Sequence, residues 1–415
     1  MRGTVSNVNL KQSLFLYILT FLLNYFIILS VNLRRIEIDM KLELVATCLF
    51  GLEKLLGEEI DALGYTRIET IDGRVTFIGD ERAVYRANLH LRFAERVFIK
   101  LGSFKAESFE ELFEGTKALE WENFISCDDA FPVKGHSVKS ALFSIPDCQS
   151  IVKKAIVQRL SKTYGISWFK EEGVKYQVEF FILKNIATLM IDTSGIALHK
   201  RGYRIEAGAA PLRETLAAAI AAISRPREDV LLWDPFCGSG TIAIEAALMM
   251  TNCAPGLARH FACEDFSILS DKNIIKEEKE RAYAMINYDS GFEAYASDID
   301  ENILEIAKQN AERAGVDDRI KIFKADARKI EKLDRRGTIV CNPPYGERLM
   351  TQKEVDRLYR DMGAAFSKLA PWQIYILTSA EDFQRIYGAR ADKIRKLYNG
   401  MIPCSLYQYF KQNKK

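Results

Sequence analysis

The C-terminal half of the chain alternates short apolar segments with helical ones, and this alternation restricts the fold more than any other feature. The apolar segments lie at 230–234, 294–298, 320–323, 338–342 and 374–378. Segments with apolar residues at helical spacing lie at 212–223, 241–250, 301–314 and 354–369. Strands that alternate with helices predict an α/β fold, with a parallel sheet covered by helices on both faces. Ligands of such sheets bind at the carboxyl ends of the strands.

The sequence DPFCGSGT, residues 234–241, joins the first of these strands to an alanine-rich helix. Gly238 and Gly240 allow a tight turn and the close approach of a ligand to the backbone. The glycine spacing also matches a loose dinucleotide fingerprint, so an NAD-binding site is an alternative. Asp234 favours a different ligand, because a carboxylate can meet an ammonium group but repels a pyrophosphate.

Two further strands end in acidic residues. Asp298 ends the second strand and can accept hydrogen bonds from both hydroxyls of a ribose, whereas Asp300 can cap the helix that begins near residue 301. Asp326, after the third strand, can accept a hydrogen bond from an adenine amino group. Each acid alone is more typical of a cap or a turn, but three in succession at strand ends favour a nucleoside site.

The sequence Asn342-Pro343-Pro344-Tyr345 follows the fourth strand. Two prolines fix the loop and remove two N–H donors, which leaves carbonyl groups to accept. The Asn342 side-chain oxygen and the Pro343 carbonyl can together hold both protons of a planar amino group, and Tyr345 can stack on the base. These two hydrogen bonds draw the lone pair of the amino nitrogen out of conjugation with the base and direct it towards an electrophile. The alternative for this motif is a rigid turn.

The N-terminal half is less regular. Residues 41–80 predict strand, helix and strand, residues 82–125 predict mainly helix, and a hairpin is predicted around Lys184 and Asn185. Residues 131–170 contain seven basic residues against one acidic residue, a net charge of +6 with histidine neutral. The aromatic residues interleaved with them are Phe131, Phe143, Trp168 and Phe169. The combination suits an RNA surface, or alternatively a solvated helix face beside core aromatics.

The motifs resemble those of class I methyltransferases that use S-adenosyl-L-methionine (SAM) and act on an exocyclic amino or amide nitrogen. DPFCGSGT, SDID, ADA and NPPYGERL carry this resemblance. Four further segments are similar to bacterial 23S rRNA guanine-N2 methyltransferases with a THUMP RNA-binding domain, the UPF0020-type RNA methylases. They are ATCLFGLEKLL (46–56), HKRGYR (199–204), APLRETLAAAI (210–220) and APGL (254–257). The resemblance begins only at residue 40 and covers about 40–399.

The resemblance implies a Rossmann-like class I methyltransferase domain with a seven-stranded, mostly parallel sheet, preceded by an α+β THUMP region. We expect an N-terminal α/β subdomain at 40–82, a THUMP domain at 83–194, a linker at 195–210 and the methyltransferase domain at 211–415. SAM is the implied cofactor, and no metal is expected.

Site residues are carried over by position. The expected cofactor contacts are Asp234, Phe236, Gly238, Gly240, Asp298, Ile299, Asp326, Ala327 and Asn342. The expected contacts to the target base, which we class as catalytic, are Asn342, Pro343, Pro344 and Tyr345. The expected RNA contacts are Lys134, His136, Lys139, Lys153 and Lys154.

The implied reaction is direct methyl transfer to N2 of a guanosine in 23S rRNA or its assembly intermediates, in the cytoplasm. Several alternatives stay open at this point. The target could be another RNA or an adenine amino group, including N6 of adenine in DNA, or a glutamine of a protein. A chain without catalysis could instead serve as an RNA-binding ribosome-assembly factor.

The extreme N-terminus stands apart. Residues 14–33 are uncharged and long enough to span a membrane, and two arginines follow. We expect residues 1–39 to result from a misassigned start, with Met40 as the true one, or else to anchor the chain in a membrane. Four of the 58 basic and two of the 56 acidic residues lie there, so 40–415 holds 54 of each, unlike a globally basic histone-like binder. The eight cysteines form no CxxC pair, which disfavours zinc and disulfides.

Overall fold

The computed structural model describes residues 41–204, 212–269, 271–345 and 351–410. The expected extension at 1–39 and residues 205–210 of the expected linker lie outside the described residues. The described chain forms two seven-stranded sheets, one in each half. Among the helices of the described ranges, none is both long and apolar enough to cross a bilayer.

The first sheet has the strand order β2-β3-β1-β4-β7-β6-β5, and only β5 and β6 pair in parallel. Its strands are β1 (Leu42–Thr47), β2 (Thr66–Ile71), β3 (Arg74–Gly79), β4 (Arg96–Lys105), β5 (Val133–Val138), β6 (Val178–Leu183) and β7 (Ile186–Asp192). The helices packed against it are α1 (Glu53–Ala62), α2 (Glu81–His90), α3 (Phe109–Ala118) and α4 (Ile145–Tyr164). The predicted hairpin is confirmed, since β6 and β7 are joined by Lys184 and Asn185 at φ 50° and 66°.

Strand β4 corrects the prediction that residues 82–125 are mainly helical. It pairs with β1 and β7 in the middle of the sheet. Val97, Phe98 and Ile99 are all buried, so apolar residues follow one another instead of alternating. Periodicity alone cannot assign such a short run to a strand or a helix. The prediction for 41–80 likewise lacks β2, whose mostly exposed residues give no apolar alternation.

The second sheet has the order β10-β9-β8-β11-β12-β14-β13. Its strands are β8 (Leu231–Asp234), β9 (Ala294–Asp298), β10 (Ile320–Lys324), β11 (Gly337–Cys341), β12 (Gln373–Thr378), β13 (Lys393–Asn399) and β14 (Ile402–Tyr409). The first five in the order pair in parallel, and β14 pairs antiparallel with β12 and β13. The predicted seven-stranded, mostly parallel sheet is therefore confirmed, with the five predicted strands found to within one residue.

Helices connect the strands of the second sheet. They are α5 (Glu214–Ser224), α6 (Thr241–Met250), α7 (Lys272–Ala284), α8 (Glu301–Ala314), α9 (Gln352–Phe366) and α10 (Phe383–Tyr387). The chain leaves β8 towards β9 and β10 and then returns to β11 on the other side of β8. This reversal opens a crevice at the carboxyl ends of β8 and β11, where α/β sheets bind ligands.

The carboxylate of Glu95, just before β4, joins the two halves of the chain. It accepts hydrogen bonds from His199 Nδ1 (3.0 Å), from Arg213 Nη1 (2.8 Å) and from the Thr215 hydroxyl. Burial alone would raise the pKa of Glu95, but the hydrogen bonds from His199 and Thr215 and the charges of His199 and Arg213 hold it below its ordinary value. The first sheet is thus tied to the beginning of α5.

The segment between α6 and α7 also binds the first half. Gly256 N donates to the Leu89 carbonyl and Cys263 N to the Thr193 carbonyl, both at 3.0 Å. The Phe266 ring stacks on Tyr176 with centroids 4.3 Å apart. These contacts and Glu95 hold the two sheets in one arrangement.

We expect Glu95→Gln to lower the free energy of unfolding by about 1–3 kcal/mol, because it removes a buried charge that three donors face. Urea unfolding at pH 7 measures this difference. Since the pKa of Glu95 is lowered in the folded protein, the stabilisation is present above the pKa of an unfolded glutamate, about 4.3, and is lost as the pH falls below it.

The matched control is Glu43→Gln, which removes the half-exposed partner of Lys100 on the sheet surface. Such surface pairs contribute about 0–1 kcal/mol. Equal losses in the two variants at pH 7 would contradict the role assigned to Glu95.

Candidate active site

The loop after β8 forms one wall of the crevice. Asp234 is buried at the end of β8, and its Oδ1 accepts from Phe236 N at 3.1 Å. Gly238 and Gly240 have φ of 49° and 84°, a region that L side chains rarely adopt. A Cβ on Gly240 would lie 3.3 Å from Ala307 Cβ, so the glycine also lets the loop pack on α8. Helix α6 begins at the next residue.

The electrostatics of Asp234 indicate a cationic ligand. Burial raises the pKa of Asp234 well above its ordinary value, and the carboxylate of Asp298 raises it further. Within the described residues, no lysine, arginine or histidine forms an ion pair with Asp234. A ligand ammonium group would therefore relieve an existing cost by stabilising the ionised form.

Asp298 closes the opposite side of the same loop. Its Oδ2 accepts from Gly238 N at 3.0 Å and its Oδ1 from Asp300 N at 3.2 Å. Two backbone donors thus fix the orientation of the carboxylate while leaving acceptor capacity on both oxygens. Asp300 caps α8 through Asn302 N at 2.9 Å, as predicted. Ile299 lies between them with an exposed side chain.

Asp326 has a local partner. Its carboxylate accepts from Arg328 N at 3.0 Å and pairs with the Arg328 guanidinium at 2.7 Å, and it caps the short turn that follows β10. The guanidinium holds the pKa of Asp326 below its usual range. Ala327 is buried in the core beside Trp233. Asp326 therefore acts as a cap, and its contact with adenine stays a prediction.

The loop at the end of β11 holds an acceptor without a donor. Asn342 Oδ1 is buried, and no group of the described residues donates a hydrogen bond to it. A buried acceptor that lacks a donor costs about 1–3 kcal/mol, which a ligand can recover. The Pro344 carbonyl accepts from the Tyr359 hydroxyl at 2.9 Å, and that hydroxyl also meets Thr378 Oγ1 at 2.9 Å. Tyr359 thus anchors the loop through the Pro344 carbonyl, and the Asn342 oxygen remains available to a donor of a ligand.

Tyr345 is anchored by a residue of β13, the edge strand of the second sheet. Its hydroxyl accepts from Asn399 Nδ2 at 3.2 Å, at the end of β13. Burial raises the pKa of Tyr345, which keeps the phenol neutral. Asn399 and Tyr359 are site residues that sequence reasoning missed. Asn399 sits before the Gly400 turn and Tyr359 on the buried face of α9, and neither position signals a functional site.

The thiols of the crevice do not suit a nucleophile. Burial raises the pKa of Cys237 and Cys341 well above the ordinary value of a thiol, so both stay protonated. All eight cysteines are free thiols. No cluster of metal-ligating side chains is found in the described ranges.

The basic segment divides into structural and exposed residues. Lys153 is half-buried and donates to Glu171 Oε1 at 2.6 Å and to the Phe131 carbonyl at 3.1 Å. Phe131 and Phe169 pack edge-to-face in the core, whereas Phe143 and Trp168 are 83% and 80% exposed. The exposed cations of the predicted RNA contacts are Lys134, Lys139 and Lys154, with His136 exposed beside them. RNA contact by any of these residues stays a prediction.

Family models match three consecutive parts of the chain. They are an RlmL ferredoxin-like domain at residues 43–98, a THUMP domain at 106–192 and an RMKL-like methyltransferase domain at 201–408. A Bacillus subtilis (strain 168) protein named "Putative RNA methyltransferase YpsC" is 46% identical over 372 residues, which cover 89% of this chain and 96% of that protein. This chain belongs to the RMKL-like methyltransferase family. The fold is that of a THUMP-containing class I methyltransferase.

Other relatives differ in length and in name. The large-subunit rRNA methyltransferase K/L of Aliivibrio salmonicida (strain LFI1238) is 36% identical over 368 residues, which cover 86% of this chain and 52% of that protein. This chain thus spans about half the length of the K/L enzyme. A solved structure from Listeria monocytogenes str. 4b F2365, described as a predicted N6-adenine-specific DNA methylase, is 46% identical with a TM-score of 0.84. The alignment covers 90% of this chain and 97% of that one.

A further solved structure identifies the cofactor class. The methyltransferase SMU.472 was crystallised with SAH, the demethylated form of SAM, and is 40% identical with a TM-score of 0.85 over 91% of this chain and all of that one. SAM is therefore the cofactor of this family member. The residues fit it. Among the described residues no cation pairs with buried Asp234 and no atom fills the space beside Gly238, and Asp298 is held by backbone donors.

We expect Asp298→Ala to weaken cofactor binding by about 1–3 kcal/mol, because it removes a charged acceptor that the backbone orients towards the ribose position. Calorimetric titration with SAH measures this change. Asp300→Ala is the matched control, because Asp300 caps α8 and should affect stability by about 1 kcal/mol but not SAH affinity. An unchanged dissociation constant in the Asp298 variant would exclude the ribose role.

Proposed function

We propose that this protein transfers a methyl group from SAM to N2 of a guanosine in 23S rRNA. The observation that carries the proposal is the buried Asn342 Oδ1, for which the described part of the chain offers no donor. A planar amino group supplies the missing protons. The Pro344 carbonyl and the Tyr345 hydroxyl of the loop have partners in Tyr359 and Asn399, so the unsatisfied Asn342 oxygen is the feature that a substrate would complete.

The chain would act mainly by alignment. Asn342 Oδ1 and the Pro343 carbonyl would each accept one proton of the amino group, so that the nitrogen lone pair points at the methyl donor. Tyr345, whose hydroxyl Asn399 holds, would support the base by stacking. SAM supplies an activated methyl group bonded to a sulfonium. With both crevice thiols protonated, we infer a single direct displacement without a covalent enzyme intermediate.

The target base must leave its stack to enter such a pocket, which is easiest in loops or in incompletely assembled RNA. RNA as the substrate class is supported by the names of the Bacillus and Aliivibrio relatives and by the THUMP match. Lys134 and His136 on the edge strand β5, and Lys139 just after it, would contribute contacts to phosphates there. Guanine N2 as the target rests on the sequence resemblance of 40–399.

The second candidate is N6-adenine methylation of DNA, which the description of the Listeria structure favours. The Asn342 loop would serve either amino group. Mass-spectrometric mapping of 23S rRNA from cells that lack the gene separates the two. We expect one guanosine to lose its N2 methyl group and to regain it with the wild-type gene. Unchanged rRNA together with lost N6-methyladenine in DNA would favour the second candidate.

We expect Asn342→Ala to lower methyl transfer about 100-fold or more, the scale for losing a preorganised group at the reacting atoms. SAH affinity should change little, because Asp234 and Asp298 remain. Methyl incorporation into 23S rRNA from the deletion strain measures the loss. Cys341→Ala, one residue earlier and at a fully buried position, should keep most of the activity. Near-normal turnover in the Asn342 variant would refute the assigned role.

A further inference from the structure

A loop of the first sheet reaches the pocket of the second. Residues 48–52 follow β1, and Gly51 lies against β13 with φ +90°. A Cβ on Gly51 would lie 2.7 Å from the Lys396 carbonyl oxygen, closer than real side chains approach. The loop thus packs backbone to backbone on the last hairpin of the methyltransferase sheet.

The same loop is held rigidly. The Glu53 carboxylate accepts from Gly51 N at 2.9 Å and from Gly73 N at 2.9 Å, and Cys48 N donates to the Gly73 carbonyl at 2.8 Å. A Cβ on Gly73 would lie 3.1 Å from the Phe50 ring, so the β2–β3 turn bounds one side of that ring. Phe50 therefore lies in a turn whose backbone is fixed by these hydrogen bonds.

Phe50 joins a chain of contacts that ends at the target-base loop. Its ring is 53% exposed and meets Tyr398 edge-to-face with centroids 5.7 Å apart. The next residue, Asn399, donates to the Tyr345 hydroxyl. The turn that follows carries Met401, which is 94% exposed. Exposed apolar and aromatic side chains thus lie on and beside the hairpin whose Asn399 holds Tyr345.

The charge around this surface selects its partner. Lys396 lies on β13 two residues before Tyr398, so both side chains are on the same face of the sheet. Lys396 is exposed, and no ion pair between it and an acid is found within the described parts of the chain. An exposed cation beside an exposed ring matches single-stranded nucleic acid, in which phosphates alternate with flat bases. An apolar protein segment would gain nothing from the cation.

We propose that Phe50 is a substrate-positioning residue of the methyl-transfer site, which stacks on a nucleotide next to the target base and holds the RNA with that base turned into the pocket. This inference rests on the proposed RNA methylation. Its consequence is that the ferredoxin-like part contributes a wall of the active site as well as general affinity for RNA.

The test uses the full chain and deproteinised 23S rRNA from cells that lack the gene. Phe50→Ala removes the ring, Phe50→Leu keeps apolar bulk without a ring, and Phe50→Tyr keeps the ring. Tyr288→Ala is the matched control. Tyr288 is 70% exposed and lies before β9, at the amino ends of the strands and hence on the edge of the sheet opposite the pocket.

We expect kcat/KM for rRNA to fall about 5- to 150-fold in both Phe50→Ala and Phe50→Leu, the range for losing one base–aromatic stack. Phe50→Tyr and Tyr288→Ala should stay within about twofold of wild type. SAH affinity should be unchanged in all four variants. A structural role alone would spare Phe50→Leu, so near-normal turnover in that variant overturns the proposal, as does an equal loss in the Tyr288 variant.

The two failures are distinguishable. If the wild-type protein does not methylate 23S rRNA, the proposed function fails and this inference fails with it. If the wild type is active and the Phe50 variants match it, only the inference fails.

Discussion

Glu245 on α6 and two arginines from outside that helix form a buried cluster of charges, which fixes the position of α6 relative to the first sheet. Glu245 is fully buried and faces Arg92 at 3.8 Å and Arg201 at 3.5 Å. The same guanidinium groups donate to the carbonyls of Cys253 (2.7 Å) and Leu198 (2.8 Å). Removing three charges from water costs several kcal/mol each, so the cluster adds little net stability. Its consequence is geometric, because any shift of α6 against the first sheet would leave a buried charge without its partner.

This constraint extends to the cofactor loop, since α6 begins where the glycine loop ends. Arg204 donates to Thr241 Oγ1 at 2.8 Å, at the first residue of α6, and the Tyr203 hydroxyl donates to Glu245 at 3.1 Å. Tyr203 and Arg204 of the segment HKRGYR thus connect the end of the first half of the chain to helix α6. An RNA surface on the first sheet would keep a fixed distance to the Asn342 loop, and binding far from the base could then help to align it.

The sequence predicted the placement of side chains that depends on one strand and the loop after it. Asp234, Asp298 and Asn342 lie along one edge of the sheet, because the carboxyl ends of neighbouring parallel strands share that edge. The ligand contacts of these residues stay predictions. Lys153 shows where composition is insufficient. Its charge predicts an RNA contact, which stays a prediction, but does not reveal the ion pair with Glu171, because Glu171 lies in an irregular loop without periodicity.

Residues that complete the pocket from other elements could not be predicted, because their local patterns are those of ordinary core or turn residues. Tyr359 lies on the buried face of α9, as any core tyrosine would, and its hydroxyl needs a partner there. That partner is the Pro344 carbonyl, so satisfying one buried hydroxyl also anchors the substrate loop. Phe50 likewise has no local signal in the sequence. The positive φ of Gly51 lets the loop pack on β13, where the Phe50 ring meets Tyr398 while about half of the residue stays exposed.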